Sequence, residues 1–83
     1  MYQITFNKDA LQFLKKCKRG EQQQLITRIE KLRENPYRGK RLAGNLFGLF
    51  RLRIDKYRVL YKILDDKVMI IIVDIGHRKD IHE

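Results

Sequence analysis

The chain has 83 residues, 43% of them hydrophobic and 35% charged, and its 19 Lys and Arg against 10 Asp and Glu give a formal net charge of +9. That length allows one hydrophobic core, so a single domain over residues 1–83 is expected. The positive excess favours a polyanionic partner, nucleic acid first and an acidic protein second.

The chain opens with Tyr2, Ile4 and Phe6 alternating with Gln3 and Thr5, the period of a short strand with one buried face. Asn7 is a helix N-cap candidate. Beyond it, Ala10, Leu11, Leu14 and Cys17 recur at helical spacing as far as Gly20, the expected stop. A second apolar face, Leu25, Ile26, Ile29 and Leu32, runs from about Glu21 to Glu34, where Asn35-Pro36 forbids continuation. Two helices joined so closely predict an antiparallel hairpin.

The stretch YRGKRLAGN, from Tyr37, has no periodicity and is expected to be a loop. Strand alternation then resumes, with Phe50, Leu52 and Ile54 on one side and Leu49, Arg51 and Arg53 on the other. A tight turn at Asp55-Lys56 leads into Tyr57, Val59, Tyr61 and Ile63, alternating with Arg58, Leu60, Lys62 and Leu64, and Asp65-Asp66 turns into a last apolar strand. The expected architecture is α+β in two layers. A leading strand, the helix hairpin and a three-stranded antiparallel meander give a four-stranded sheet with helices on one face and arginines on the other.

Charge is concentrated between Lys40 and Lys62, with seven basic residues (Lys40, Arg41, Arg51, Arg53, Lys56, Arg58 and Lys62) and the single acid Asp55. Arg51, Arg53, Arg58 and the later Arg78 could bind a phosphate bidentately through their guanidinium forks, or could be an ordinary solvated face. No glycine-rich phosphate loop, zinc-type Cys/His spacing or Ser-His-Asp set can be assembled, so neither a metal nor another cofactor is expected. Tyr57 and Tyr61 are expected in the core rather than stacked on a base, and Cys17 is expected to pack. Phe47 and Leu49 are candidates for a partner's docking surface.

One cysteine forms no intramolecular disulfide, and the N-terminus lacks the apolar stretch of a signal peptide, so a cytoplasmic location is expected. The run Val68 to Val73 is far short of the roughly 20 residues that span a bilayer, so no membrane partner is expected.

The ordered set Leu42-x-Gly44, Arg51 with Arg53, Tyr57-Arg58-x-x-Tyr61, and Gly76-His77-Arg78 followed by Asp80-Ile81 resembles the RelE/ParE superfamily of toxins. That resemblance implies a RelE-like fold and a toxin paired with a RelB-like antitoxin. It further implies metal-independent, ribosome-dependent cleavage of mRNA in the decoding site, the ribose 2′-hydroxyl attacking the adjacent phosphate. Arg51, Arg53, Arg58 and Arg78 match the family's catalytic basic positions. Lys40, Arg41, Lys56, Lys62 and His77 are expected to contact RNA or the ribosome. The alternatives are a ParE-like poison of DNA gyrase and a module that binds RNA without cutting it.

The family's tyrosine beyond the last arginine is replaced here by His82. Arginine stays protonated to above pH 12 and cannot accept the 2′-hydroxyl proton. His82 is therefore expected either to act as general base or acid or to be an idle chain end, and His77 either to share that role or to bond at the strand end.

Overall fold

The structure, a computed structural model, describes residues 1–80. Its elements run β1 (Gln3–Phe6), α1 (Lys8–Lys16), α2 (Arg19–Glu30), β2 (Lys40–Arg41), β3 (Phe50–Ile54), β4 (Tyr57–Leu64) and β5 (Met69–His77). Short 3₁₀ turns follow α2, flank β2 and close the β4–β5 connection, and another, Arg78–Asp80, follows β5.

The Asn7 side chain caps α1 by accepting a hydrogen bond from the Ala10 amide at 3.2 Å. The helix ends at Lys16, ahead of the glycine expected to stop it. The Gln22 side-chain amide donates to the Leu14 carbonyl at 2.8 Å and the Cys17 amide to the same oxygen at 3.1 Å, so helix-end carbonyl capacity is satisfied without a glycine. Gly20 instead lies in the first turn of α2.

The sheet has five strands in the order β1-β5-β4-β3-β2. Its β1–β5 pair is parallel and the other three pairs are antiparallel. The fifth strand corrects the expected four. Lys40 and Arg41 pair with Arg51 and Phe50. Two residues, both exposed, leave no apolar alternation to read. What fixes them is tertiary: the Tyr61 hydroxyl donates to the Pro36 carbonyl at 2.8 Å and accepts from the Gly39 amide at 2.9 Å. A Cβ on Gly39 would meet the Arg51 carbonyl oxygen and the Tyr61 hydroxyl, each at 2.6 Å, so the loop approaches the sheet at the one residue that permits it.

Ala10, Leu14, Leu25, Ile29 and Leu32 pack onto Phe50, Leu52, Ile54, Tyr57, Val59, Tyr61, Ile70, Ile72 and Ile75 to form one core. Tyr57 and Tyr61 are buried there as expected. The apolar sets of β3 and β4 keep strict alternation. In β5, Tyr61 pairs with Ile72 but Leu60 pairs with Asp74, so Val73 is an extra residue in a β-bulge. One inserted residue reverses which face each following side chain takes. Ile75 therefore enters the core, Asp74 and Gly76 join the open face, and His77 turns to the helix side.

Candidate nucleic-acid interface

The open face of the sheet is built in rows by strand register. Lys40, Arg51, Leu60 and Asp74 lie in one row across β2, β3, β4 and β5, and Arg53, Arg58 and Gly76 lie in the next. Arg53 is exposed and Arg51 half-buried. Arg58, which the sequence leaves open to phosphate binding or to an ordinary solvated face, is only 4% exposed. Its neighbour across the ladder on β5 is Gly76, which has no side chain to hold it upright. Arg58 makes an ion pair from Nη2 to Asp74 Oδ2 at 3.7 Å, with the Asp74 side chain 44% exposed. Leu60, 6% exposed on this same face, makes an apolar floor between Arg51 and Asp74.

Arg78 stands where the chain leaves β5. Its amide donates to the Lys56 carbonyl at 3.0 Å and its Nη1 to the Asp55 carbonyl at 3.2 Å, which ties it to the β3–β4 turn beyond Arg53. The side chain is exposed. Lys62, also exposed, extends the cationic face along β4 opposite Ile71.

The other expected contacts separate from this face. Arg41 pairs with Phe50, a core residue, and its guanidinium lies 5.2 Å from the centre of the Phe50 ring and 5.8 Å from that of Tyr37. Lys56 turns toward α2 and bonds Glu21 at 3.0 Å. His77, expected to contact RNA or the ribosome and either to move a proton or to bond at the strand end, lies on the helix side with ring centres 5.8 Å from Phe13 and 5.1 Å from Tyr57. The bulge at Val73 is the physical reason. His82 lies outside the described residues.

A cleft of about 310 Å³ on the helix side is lined by residues that include Phe13, Cys17, Glu21, Lys56, Tyr57 and His77. Hydrogen bonds from Lys56 and Tyr57 hold the Glu21 carboxyl below the usual range, and the same ion pair raises Lys56. Burial pushes the Cys17 thiol up, and its Sγ donates to the Phe13 carbonyl at 3.4 Å, consistent with a packing role. Of the two suggested docking residues, Phe47 is 85% exposed and Leu49 is half-buried, its carbonyl accepting from the Leu42 amide.

At the other end of the sheet the Asp65 carboxylate accepts from the Tyr2 hydroxyl at 2.6 Å and from the Tyr37 hydroxyl. These bonds hold Asp65 below the carboxylate range and push Tyr2 up to about 12. Sequence reasoning missed Asp65, and it missed Asp74 because an acid next to an apolar strand gives no sign of its face. Among the described residues, no three His, Cys, Asp or Glu side chains are grouped to hold a metal, and no helix is long and apolar enough to cross a membrane.

Two helices on one face of a five-stranded mixed sheet, with arginines on the other, define a RelE-like α+β toxin domain. The ParE toxin family of type II toxin–antitoxin systems has a family model that matches residues 4–82, and the chain belongs to that family. It is 28% identical over 80 residues to a putative RelE-like toxin protein of Escherichia coli, covering 94% of this chain and 84% of that one. It is 41% identical over 44 residues to Toxin RelG of Mycobacterium tuberculosis, covering 53% of this chain and 51% of that one. Its fold superposes on a chain of the M. tuberculosis toxin–antitoxin complex RelBE2 with a TM-score of 0.85 at 30% identity, covering 93% and 98% of the two chains. A chain of the intact E. coli RelBE complex shares the fold, with a TM-score of 0.80 at 20% identity and 93% and 96% covered.

Proposed function

We propose that this toxin is a ribosome-dependent mRNA endonuclease that acts in the cytoplasm, and that it is held inactive by a RelB-like antitoxin. The observation that carries the reading is the β3–β4 register, which gathers Arg51, Arg53 and Arg58 on one sheet face with Arg78 at its end. Guanidinium groups in fixed positions hold a phosphate by paired hydrogen bonds and stabilise the charge that grows on its oxygens as the 2′-hydroxyl attacks. The products are a 2′,3′-cyclic phosphate and a free 5′-hydroxyl. Four permanent cations supply this stabilisation without a metal, so cleavage is expected to survive a chelator at a magnesium level that keeps the ribosome intact.

The cations divide by face into two roles in this reading. Lys40 and Lys62 extend the open face along the message, while Arg41, Lys56 and His77, on the helix side, meet ribosomal RNA. His82 remains a candidate to move a proton. Phe47 supports antitoxin binding, since a large exposed apolar ring on a cationic domain suits an amphipathic acidic segment.

The test is to add the purified toxin to ribosomes programmed with a defined mRNA and to map new 5′ ends, with free mRNA and Arg58→Ala and Arg78→Ala proteins alongside. Cuts in the decoding site that need both the ribosome and the arginines are expected. Binding without any product would indicate a passive RNA-binding module. The family match to ParE toxins favours a second reading, a gyrase poison, and a supercoiling assay that detects gyrase-linked DNA breaks would separate the two.

A further inference from the structure

Resting on that reading, we infer that Asp74 is the general base of the cleavage reaction. The arginines cannot accept the 2′-hydroxyl proton, so a second kind of group has to take it, chosen here from the described residues. His77 lies against Phe13 and Tyr57 across the sheet. Lys56 is bonded to Glu21 on that same far side. Asp74 is the carboxylate that the β5 bulge brings into the arginine rows, level with Arg51 and 3.7 Å from Arg58.

Three further features suit the role. The Asp74 side chain is 44% exposed, so a ribose can reach it. Its contact with Arg58 is longer than the roughly 2.7–2.9 Å of a tight charge-assisted hydrogen bond, and a carboxylate has about four acceptor sites, which leaves capacity for a substrate hydroxyl. Leu60, nearly buried between Arg51 and Asp74, gives the row an apolar floor against which a phosphate between guanidinium and carboxylate is partly desolvated. The bulge also has a cost in ladder bonding. A straight β5 would put Asp74 in the core, and the bulge delivers it to the one face where a carboxylate has a use.

In the step itself the 2′-hydroxyl proton passes to an Asp74 carboxylate oxygen as O2′ bonds to phosphorus. The bond from phosphorus to O5′ breaks, O5′ takes a proton from water, and the hydroxide left behind takes the proton from Asp74, which restores the carboxylate. The flanking guanidiniums stabilise the charge that grows on the phosphate oxygens as O2′ attacks.

The experiment measures single-turnover cleavage on programmed ribosomes, together with affinity for ribosomes carrying the same mRNA with a 2′-deoxy nucleotide at the cut site. Asp74→Asn is expected to slow cleavage by about 10²–10⁴-fold while affinity stays within about threefold. Asp74→Glu, which keeps a carboxylate and the charge opposite Arg58, is expected to cleave at least about tenfold faster than Asp74→Asn. If Asp74→Asn does not fold, Asp74→Glu alone decides: slower cleavage at unchanged affinity supports the assignment, and a wild-type rate overturns it. An Asn variant that cuts at the wild-type rate, or one that loses cleavage and affinity by the same factor, also overturns it. If the wild-type toxin leaves ribosome-bound mRNA intact, the nuclease reading falls and this assignment falls with it. If the wild type cuts and Asp74→Asn cuts equally, the Asp74 assignment alone fails.

Discussion

Arg53 and Arg58 stand directly opposite each other across the β3–β4 ladder, the first exposed and the second 4% exposed. Like charges in that relation destabilise a sheet, so the pair is expected to lower stability in exchange for function. Arg53→Gln should leave the melting temperature unchanged or raise it slightly, and should lower mRNA cleavage by at least about tenfold. Thermal unfolding and primer extension on the same preparation check both halves.

Arg58 extends the same argument into the sheet. Removing one member of a buried ion pair is costly when it strands the other as a buried charge, but the Asp74 side chain is 44% exposed and stays in water, so an apolar residue of similar volume can replace Arg58 without that penalty. Arg58→Met is therefore expected to fold at least as well as the wild type and to be inactive. A strongly destabilised Arg58→Met protein would show that the guanidinium is needed for packing.

Gly39 and Tyr61 fix the edge strand that carries Lys40. Tyr61→Phe loses two hydrogen bonds and leaves the Pro36 carbonyl and Gly39 amide unsatisfied, at a cost of about 1–3 kcal/mol. Gly39→Ala forces a Cβ to within 2.6 Å of the Arg51 carbonyl oxygen and is expected to cost about 1–3 kcal/mol. Because both act on one contact, the double variant should lose less than the two single losses together, as urea unfolding can measure.

Asp65 gives the stability a defined pH dependence. Its folded-state value is lowered by the Tyr2 and Tyr37 hydroxyls, so its contribution is present above the unfolded carboxylate value of about 3.9 and is lost as pH falls through the lower folded value. Tyr2, raised to about 12, contributes stability that is full below about 10 and is lost as pH rises toward 12. Asp65→Asn should flatten the acid limb of a plot of melting temperature against pH, and Tyr2→Phe the alkaline limb.

Val68 has φ 51° and ψ 49°, a left-handed conformation that suits a β-branched residue poorly. It is 45% exposed, so little packing is lost when it changes. Val68→Gly should relieve about 1 kcal/mol and raise the melting temperature by about 4–8 °C. A lower melting temperature would mean that the valine's contacts outweigh its backbone strain.

The sequence by itself determined the elements with regular spacing. Alternation in Tyr2–Phe6, Phe50–Ile54 and Tyr57–Ile63, and the helical steps through Leu14 and Ile29, are local signals, and each of these residues lies in or against the core. The identity of the basic face was legible for the same reason, because period two in β3 and β4 leaves Arg51, Arg53 and Arg58 on the side away from the core.

Tertiary structure decided what depends on residues distant in the chain. Lys40–Arg41 becomes a strand only because Tyr61 bonds the loop before it and Gly39 allows the approach. Gln22 reaches back to the end of α1, which stops at Lys16, ahead of Gly20. The largest departure is the bulge at Val73. A run of six apolar residues carries no mark of an extra residue, so the faces of the residues after it are not legible from spacing. The bulge sends His77 to the helices and Asp74 to the arginines, because the core accepts Ile75 at far less cost than it would accept a carboxylate.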